Sequence, residues 1–254
     1  MKIAGIILAG GKGTRINSHK VNKVTLPFLG KPLITYGVDL FSNICNPIVV
    51  VVGAFSHSVK EVLKKYKVGY ATQRKRLGTA HAAYMGVKQL NELKTHPESV
   101  IIGYGDHMMF YRKETIKKMF HRQINEGAAI CLLTTEYASP NDLAWGRIIR
   151  NSEGAIIDSI EQKDATAEQQ KISELNPSLY CFDFEFISAN ITKIKKSKTT
   201  GEYYLTDLIK IAVKQGKKVI GLKVPFKEVG IGINRINELK KSQEIFTTLR
   251  GLSL

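Results

Sequence analysis

Continuous apolar runs of strand length alternate, through the first half of the chain, with stretches whose apolar residues recur at helical spacing. Residues 2–9, 47–53 and 99–103 are runs of the first kind and predict strands, the continuous β-branched run at 47–53 one that is buried on both faces. Helical spacing over 33–41, 56–66 and 78–93 predicts the helices between them, with a further short strand at 68–72. Strand and helix therefore alternate in the manner of a parallel, doubly wound sheet. The second half changes character. A basic helix at 113–126 and a strand at 128–135 lead into a hairpin over 146–157, turning at 151–154, which makes the sheet mixed. Residues 175–182 and 218–224 read as strands, and 202–215 and 235–249 as helices. No repeat, low-complexity tract or linker divides the chain. The expectation is an α/β fold with a doubly wound, mostly parallel but mixed sheet, organised as one domain of residues 1–254 with lobes at about 1–112 and 113–254.

With 254 residues, 43% of them hydrophobic, the chain can bury a large core unaided. Its formal charge of +16, from 38 Lys and Arg against 22 Asp and Glu, favours an anionic ligand. The cations are scattered beside periodic segments, as in Lys64-Lys65, Arg74-Lys75-Arg76 and Lys217-Lys218, and solvated helix faces explain them better than a nucleic-acid groove. No nucleic-acid partner is expected. Cys45, Cys131 and Cys181 lie far apart in apolar surroundings, without a CxxC pair or metal spacing, and read as reduced core residues. The N-terminal apolar run is shorter than a signal-peptide core, and no segment approaches the roughly eighteen apolar residues of a membrane span. A cytoplasmic protein without membrane insertion is expected.

Candidate chemistry starts where the first strand ends. Gly10, Gly11 and Gly13 interleave with Lys12, Thr14 and Arg15, a turn whose backbone N–H groups can approach anionic oxygens while Lys and Arg supply charge. It is not a P-loop, which needs GxxxxGK followed by Ser or Thr, and it lacks the third glycine of a dinucleotide fingerprint. Phosphate handling is the functional reading, and a ligand-free surface turn the bland one. Asp106 follows the buried run 99–103 and two further residues, where an α/β protein places a carboxylate for Mg²⁺ or a ribose hydroxyl, or else a helix cap. Gln73, five residues before Gly78, has a donor and an acceptor with which to read a base, and also suits a helix start. Asn234, beside Arg235, is either a neutral oxygen ligand to the same cation or the cap of the last helix.

Taken in order, Leu8-Ala-Gly-Gly-Lys-Gly-Thr-Arg15, Lys23 with Gly30-Lys-Pro32, Gln73 with Leu77-Gly-Thr-Ala-His81, Tyr104-Gly-Asp106, Trp145-Gly-Arg147, Glu161-Gln-Lys-Asp164, Leu175-Asn-Pro177, Gly201-Glu-Tyr-Tyr-Leu-Thr-Asp207 and Gly232-Ile-Asn234 resemble nucleotidyltransferases. The similarity is strongest to the N-terminal, pyrophosphorylase half of bacterial bifunctional UDP-N-acetylglucosamine pyrophosphorylases. It implies a Rossmann-like nucleotidyltransferase fold and transfer of a uridylyl group from UTP to a sugar 1-phosphate, N-acetylglucosamine 1-phosphate foremost, with release of pyrophosphate. By the same resemblance, Arg15 and Lys23 are the catalytic cations and Asp106 and Asn234 the Mg²⁺ ligands. Leu8, Ala9, Gly10, Gly11, Gln73, Gly78, Thr79, Tyr104 and Gly105 would hold the nucleotide, and Gly146, Glu161, Asn176, Tyr204 and Thr206 would line the sugar-phosphate pocket. No side-chain nucleophile is implied, because the sugar-phosphate oxygen attacks the α-phosphorus in line.

The chain also departs from the family pattern. Asn22 stands where the family has Pro, one extra residue precedes Lys23, Arg74-Lys75-Arg76 replaces a largely neutral stretch, and Trp145 replaces a smaller aromatic. Aligning on Gly232 rather than Arg235 keeps Asn234, not Ile233, at the metal position. The hexapeptide repeat of the family's acetyltransferase half is absent, so acetyl transfer is not expected. A sister enzyme using another sugar phosphate or another NTP would keep nearly all these residues. From other classes, the competing readings are a basic polynucleotide-binding module and a catalytically silent nucleotide sensor, the latter opposed by the Arg15, Lys23 and Asp106 set.

Overall fold

The first apolar run becomes β1 (Ile3–Ala9), around which a ten-stranded sheet is assembled, and every side chain of β1 is buried. The computed structural model describes residues 2–13, 16 and 20–251. Helix α1 (Leu33–Ser42), β2 (Ile48–Val52), α2 (Ser56–Val62), β3 (Gly69–Thr72), α3 (Thr79–Glu92) and β4 (Ser99–Tyr104) follow in alternation, as the hydrophobic pattern requires. Their strands pair in parallel in the order β3-β2-β1-β4. Successive side chains of a strand face opposite ways, so an unbroken apolar run feeds two layers at once. Ile6, Leu8, Val49 and Val51 join one layer with Ala83, Val87 and Leu90 of α3. Ile7, Val50 and Val52 join the other with Val38 and Phe41 of α1 and Val59 of α2.

The chain leaves β1 for β2 and β3 on one side and returns to β4 on the other. The carboxyl ends of β1 and β4 therefore lie side by side, Leu8 opposite Tyr104. Open α/β sheets take their ligands at such a reversal of strand order.

After α4 (Lys113–Asn125) and β5 (Ile130–Glu136), the hairpin forms as expected from β6 (Gly146–Arg150) and β7 (Ile156–Ile160), antiparallel. Two differences from the sequence reading shape the site. The strand expected at 175–182 is two strands, β8 (Glu174–Asn176) and β9 (Tyr180–Asp183). Pro177 has no N–H for a ladder and Ser178 adopts φ 66°, so the chain steps sideways between them. Strand β8 pairs antiparallel with β5 and β6, and β9 with β4 and β5, which makes the sheet mixed. The helix expected at 202–215 begins only at α6 (Asp207–Lys214). Residues 203–205 instead run along the start of α3: Tyr203 donates to the Leu77 carbonyl and accepts from the Ala80 N–H, and the Leu205 N–H donates to Thr79 Oγ1.

An additional helix, α5 (Phe184–Asn190), is capped by Asp183, whose carboxylate accepts from the Phe186 N–H at 2.7 Å. Strand β10 (Val219–Lys223) lies parallel beside β5. The last helix, α7 (Ile236–Arg250), sets Phe246 edge-on against Phe28 and Phe110, with ring centroids 5.5 and 5.4 Å away. Ile233 is buried in the same cluster, which anchors the segment leading into α7. No helix among the described residues is long and apolar enough to cross a membrane.

Candidate active site

The glycine turn leaves β1 at Gly10 and is held by a residue some way along the chain. Asn22 is fully buried, and its Nδ2 donates to the carbonyl oxygens of Ala9, Gly11 and Ala54 at 2.9, 3.1 and 2.8 Å. Its Oδ1 accepts from the Val24 N–H at 3.1 Å, starting the turn that carries Lys23. The side chain thus ties three backbone segments together and fixes where Lys23 begins. Space is tight here: a Cβ at Gly53 would lie 2.6 Å from the Gly10 oxygen. Arg15, expected at the nucleotide phosphates, lies outside the described residues.

Lys23 reaches across the mouth of the cleft. Its ammonium pairs with Asp106 and donates to Asn234 Oδ1 at 2.8 Å and to the Ile233 carbonyl at 3.2 Å. Asp106 comes from the end of β4, and its own carbonyl accepts from the Ile233 N–H at 2.9 Å, which locks the segment before α7 against that strand end. Glu238 accepts from the N–H groups of Asn234 and Arg235 at 2.7 and 2.8 Å, closing the start of α7. The Asn234 side chain is therefore not needed as the helix cap, and it faces the cleft while Ile233 is fully buried. Among the described residues no three histidines, cysteines or carboxylates gather as a metal cluster. The cation cradle consists of one carboxylate, one amide oxygen and one backbone carbonyl.

A cleft of about 390 Å³ opens beside this cradle. At one end lie Gln73, Gly78 and Thr79. Gly78 has φ 108°, and a Cβ there would lie 2.4 Å from the Tyr203 oxygen, so only glycine lets 203–205 close over the start of α3. One amide atom of Gln73 sits 3.1 Å from the Gly78 carbonyl, which can only accept, so that atom is the NH₂. The same nitrogen lies 3.0 Å from His81 Nδ1. Both N–H groups are thus used inside the protein, His81 is the neutral tautomer with its proton on Nε2, and burial lowers its pKa in keeping with that. Gln73 offers the cleft its Oε1 alone, held against Gly10, rather than the donor and acceptor read from the sequence.

At the other end stand Glu161, Tyr204 and Trp145. Burial pushes the Glu161 carboxyl up to about 7, against the hydrogen bond from Thr206 Oγ1 at 3.2 Å, and Asp164, Asp207 and Glu202 push the same way as burial. Tyr104 lies between the two ends with its phenol pKa raised by burial. Gly105, Gly146, Asn176 and Thr206 stand behind the wall rather than in it. Asn176 donates to Ser159 Oγ at 3.0 Å and Tyr180 Oη at 2.9 Å and accepts from the Ser178 N–H at 2.9 Å, and so organises the β8–β9 step.

With this geometry in place, comparison with known proteins is specific. The nucleotidyl transferase family profile matches residues 4–227. The chain belongs to the nucleotidyl transferase family. Bifunctional protein GlmU of Caldicellulosiruptor saccharolyticus is 39% identical over 236 residues, 92% of this chain and 50% of that protein. GlmU of Clostridioides difficile strain 630 is 34% identical over 246 residues, 96% of this chain and 52% of that protein. The chain spans about half the length of the curated relatives it matches. In fold it is similar to a UDP-glucose pyrophosphorylase complexed with UDP-glucose, with TM-score 0.77 and 18% identity over 98% of this chain and 100% of the other. It is also similar to a CMP:2-keto-3-deoxy-manno-octonic acid synthetase complexed with CTP, with TM-score 0.70 and 12% identity over 98% and 100%.

In this family member two further residues support the site from inside. Arg147 is fully buried, and its guanidinium donates to the carbonyls of Pro140, Leu143, Trp145 and Gln170 and to Asn141 Oδ1. A charge taken out of water needs such bonds, and these hold the 140–145 loop that brings Ala144 and Trp145 to the cleft. Burial lowers the Arg147 pKa while Glu161 opposes that shift. His107 follows Asp106, packs at a tilt against the Trp145 ring with centroids 4.9 Å apart, and is kept toward the neutral form by burial. Both lie inside or beside motifs that the sequence made visible, but nothing in their spacing signalled an internal role.

Proposed function

We propose that this chain transfers a uridylyl group from UTP to a sugar 1-phosphate, N-acetylglucosamine 1-phosphate foremost, releasing pyrophosphate. The observation that carries the reading is the convergence of Lys23, Asp106 and Asn234, from three distant segments, on one cleft that Gln73 and Glu161 also line. The family's chemistry needs those three parts in one cleft: base, phosphates with cation, sugar. The choice of uracil and of the N-acetylated sugar rests on the sequence resemblance.

The cradle fits Mg²⁺. The Lys23 ammonium is already a cation there, held by the Asp106 carboxylate and the Asn234 amide oxygen. Mg²⁺ prefers such hard oxygens, taking one or two from protein and the rest from phosphate and water. When bound it supplies Lewis acidity at the phosphate oxygens. Lys23 draws on the same two oxygens, so with Mg²⁺ held there its ammonium would be free for a phosphate. The glycine turn presents backbone N–H groups to the phosphates, and Lys23 offsets charge on the departing pyrophosphate. The sugar-phosphate oxygen forms its bond to the α-phosphorus as the bond to pyrophosphate breaks, with no protein nucleophile.

Pyrophosphate release measured over a grid of NTPs and sugar 1-phosphates tests this. The highest kcat/KM is expected for UTP with N-acetylglucosamine 1-phosphate, falling to background without a divalent cation. Release with another NTP only would refute uridylyl transfer. Equal or better use of glucose 1-phosphate would refute the sugar alone.

A further inference from the structure

The β3–α3 loop carries Arg74, Lys75 and Arg76 where the resemblance leads one to expect largely neutral residues. Only Arg76 of the three lines the cleft, and it also lines a second cavity of about 440 Å³. That cavity adjoins the cleft, sharing Gly11, Lys23, Glu202 and Asn234 with it as well, and adds Lys12 and Gly13 of the glycine turn. Gln73, Glu161 and Trp145 are not in its wall.

Its charge is the informative feature. Among the described residues of its wall, Lys12, Lys23 and Arg76 face a single acid, Glu202. Lys23 is paired with Asp106, whereas Lys12 and Arg76 have no hydrogen bond or ion pair among the described residues. Two unpaired cations facing one cavity suit a small, highly charged anion. A nucleotide with its base at Gln73 and its phosphates at Lys23 brings those phosphates to the residues that the two cavities share, among them Gly11, Lys23 and Arg76.

We propose that Arg76, with Lys12, binds the two terminal phosphates of the nucleotide and the pyrophosphate they become. The assignment rests on the nucleotide reading of the cleft. Arginine suits the task because its planar fork can bond two phosphate oxygens at once.

The test is calorimetric titration of the whole chain with UTP, UMP and inorganic pyrophosphate, in wild type, Arg76→Gln and Arg76→Lys. Loss of a charge-assisted contact predicts about tenfold weaker binding of UTP and of pyrophosphate to Arg76→Gln, unchanged UMP binding, and partial recovery in Arg76→Lys. Arg76 is exposed, so an unchanged Tm is expected to accompany the loss. Equal weakening of UTP and UMP would overturn the proposal, as would pyrophosphate binding indifferent to the substitution. If wild type ignored UTP and UMP yet bound pyrophosphate through Arg76, the nucleotide reading would fall and the phosphate assignment stand. If all three chains bound both nucleotides alike, the reverse would hold, and failure to bind any of the three ligands would overturn both.

Discussion

Gln73 brings only half of its amide to the cleft, and that decides what it can read. With both N–H groups spent on the Gly78 carbonyl and His81 Nδ1, the free Oε1 accepts and cannot donate. An acceptor matches the N3–H of uracil and opposes the N3 lone pair of cytosine. His81 therefore acts as a positioning residue: without its Nδ1 acceptor the amide loses a reason to keep that orientation. His81→Leu should narrow the ratio of kcat/KM for UTP over CTP by roughly 1–3 kcal/mol, about five- to 150-fold, leaving the sugar-phosphate KM nearly unchanged. His81→Asn, which puts an oxygen close to where Nδ1 stands, should restore most of the ratio. An unchanged ratio in the leucine variant would mean that the base is read by other groups. The glutamine was visible from the sequence, but the direction of its amide was not. That direction depends on a carbonyl and a ring nitrogen which only the fold of the β3–α3 loop brings within reach.

At the scale of elements, the 140–145 loop shows how one side chain can shape a binding wall. Arg147 gathers four carbonyls and an amide oxygen around a buried guanidinium, and the loop it holds has no helix or strand ladder of its own beyond one short turn. Arg147→Met should lower stability by at least about 1.5–3 kcal/mol, since several buried carbonyls lose a charged donor. Because the loop delivers Trp145, the folded variant should show a raised sugar-phosphate KM with an unaltered UTP dissociation constant. A KM that does not move would show that Trp145 is held by its ring contacts alone. Legibility follows the same logic. Strands at residues 3–9, 48–52 and 99–104 were readable because an unbroken apolar run has few fates in a core. So were the glycine turn and Asp106, which sit at strand ends. The step at Pro177-Ser178 and the extended 203–205 segment were not, because each is set by a partner: a ladder that changes neighbour, and the start of α3. Asn22 looked like a mere replacement for Pro, since its carbonyl partners at Ala9, Gly11 and Ala54 are assembled only by the fold. The meeting of Lys23 with Asn234, 211 positions apart, is likewise a property of topology.

Across the whole molecule, buried titrating groups pull stability in opposite directions with pH, and the signs can be separated. Glu161 titrates near 7 in the folded protein against an ordinary 4.5, so between those values the folded chain holds a proton that the unfolded chain has released. Stability from this group is fully present below about 4.5, falls as pH rises, and is lost once pH passes 7. His81 and His107 act oppositely: burial lowers both below the ordinary 6.5, the unfolded chain binds more protons there, and stability rises with pH through that range. The wild-type curve is a sum, but its difference from Glu161→Gln isolates the carboxyl. Denaturant unfolding should find the glutamine variant gaining on wild type from pH 5 to pH 8 by roughly 1–3 kcal/mol, the order expected for a shift of this size. Parallel curves would show that Glu161 ionises without penalty. Function should run the other way. A carboxylate accepts a sugar hydroxyl more strongly than the neutral acid does, so raising pH through 7 charges the group that destabilises the empty site and strengthens its hold on sugar. Sugar-phosphate KM should then fall with pH in wild type relative to Glu161→Gln, a comparison in which the ligand's own phosphate titration cancels. If the KM ratio of the two proteins stayed constant from pH 6 to pH 8, Glu161 would not be a sugar contact, whatever its effect on stability.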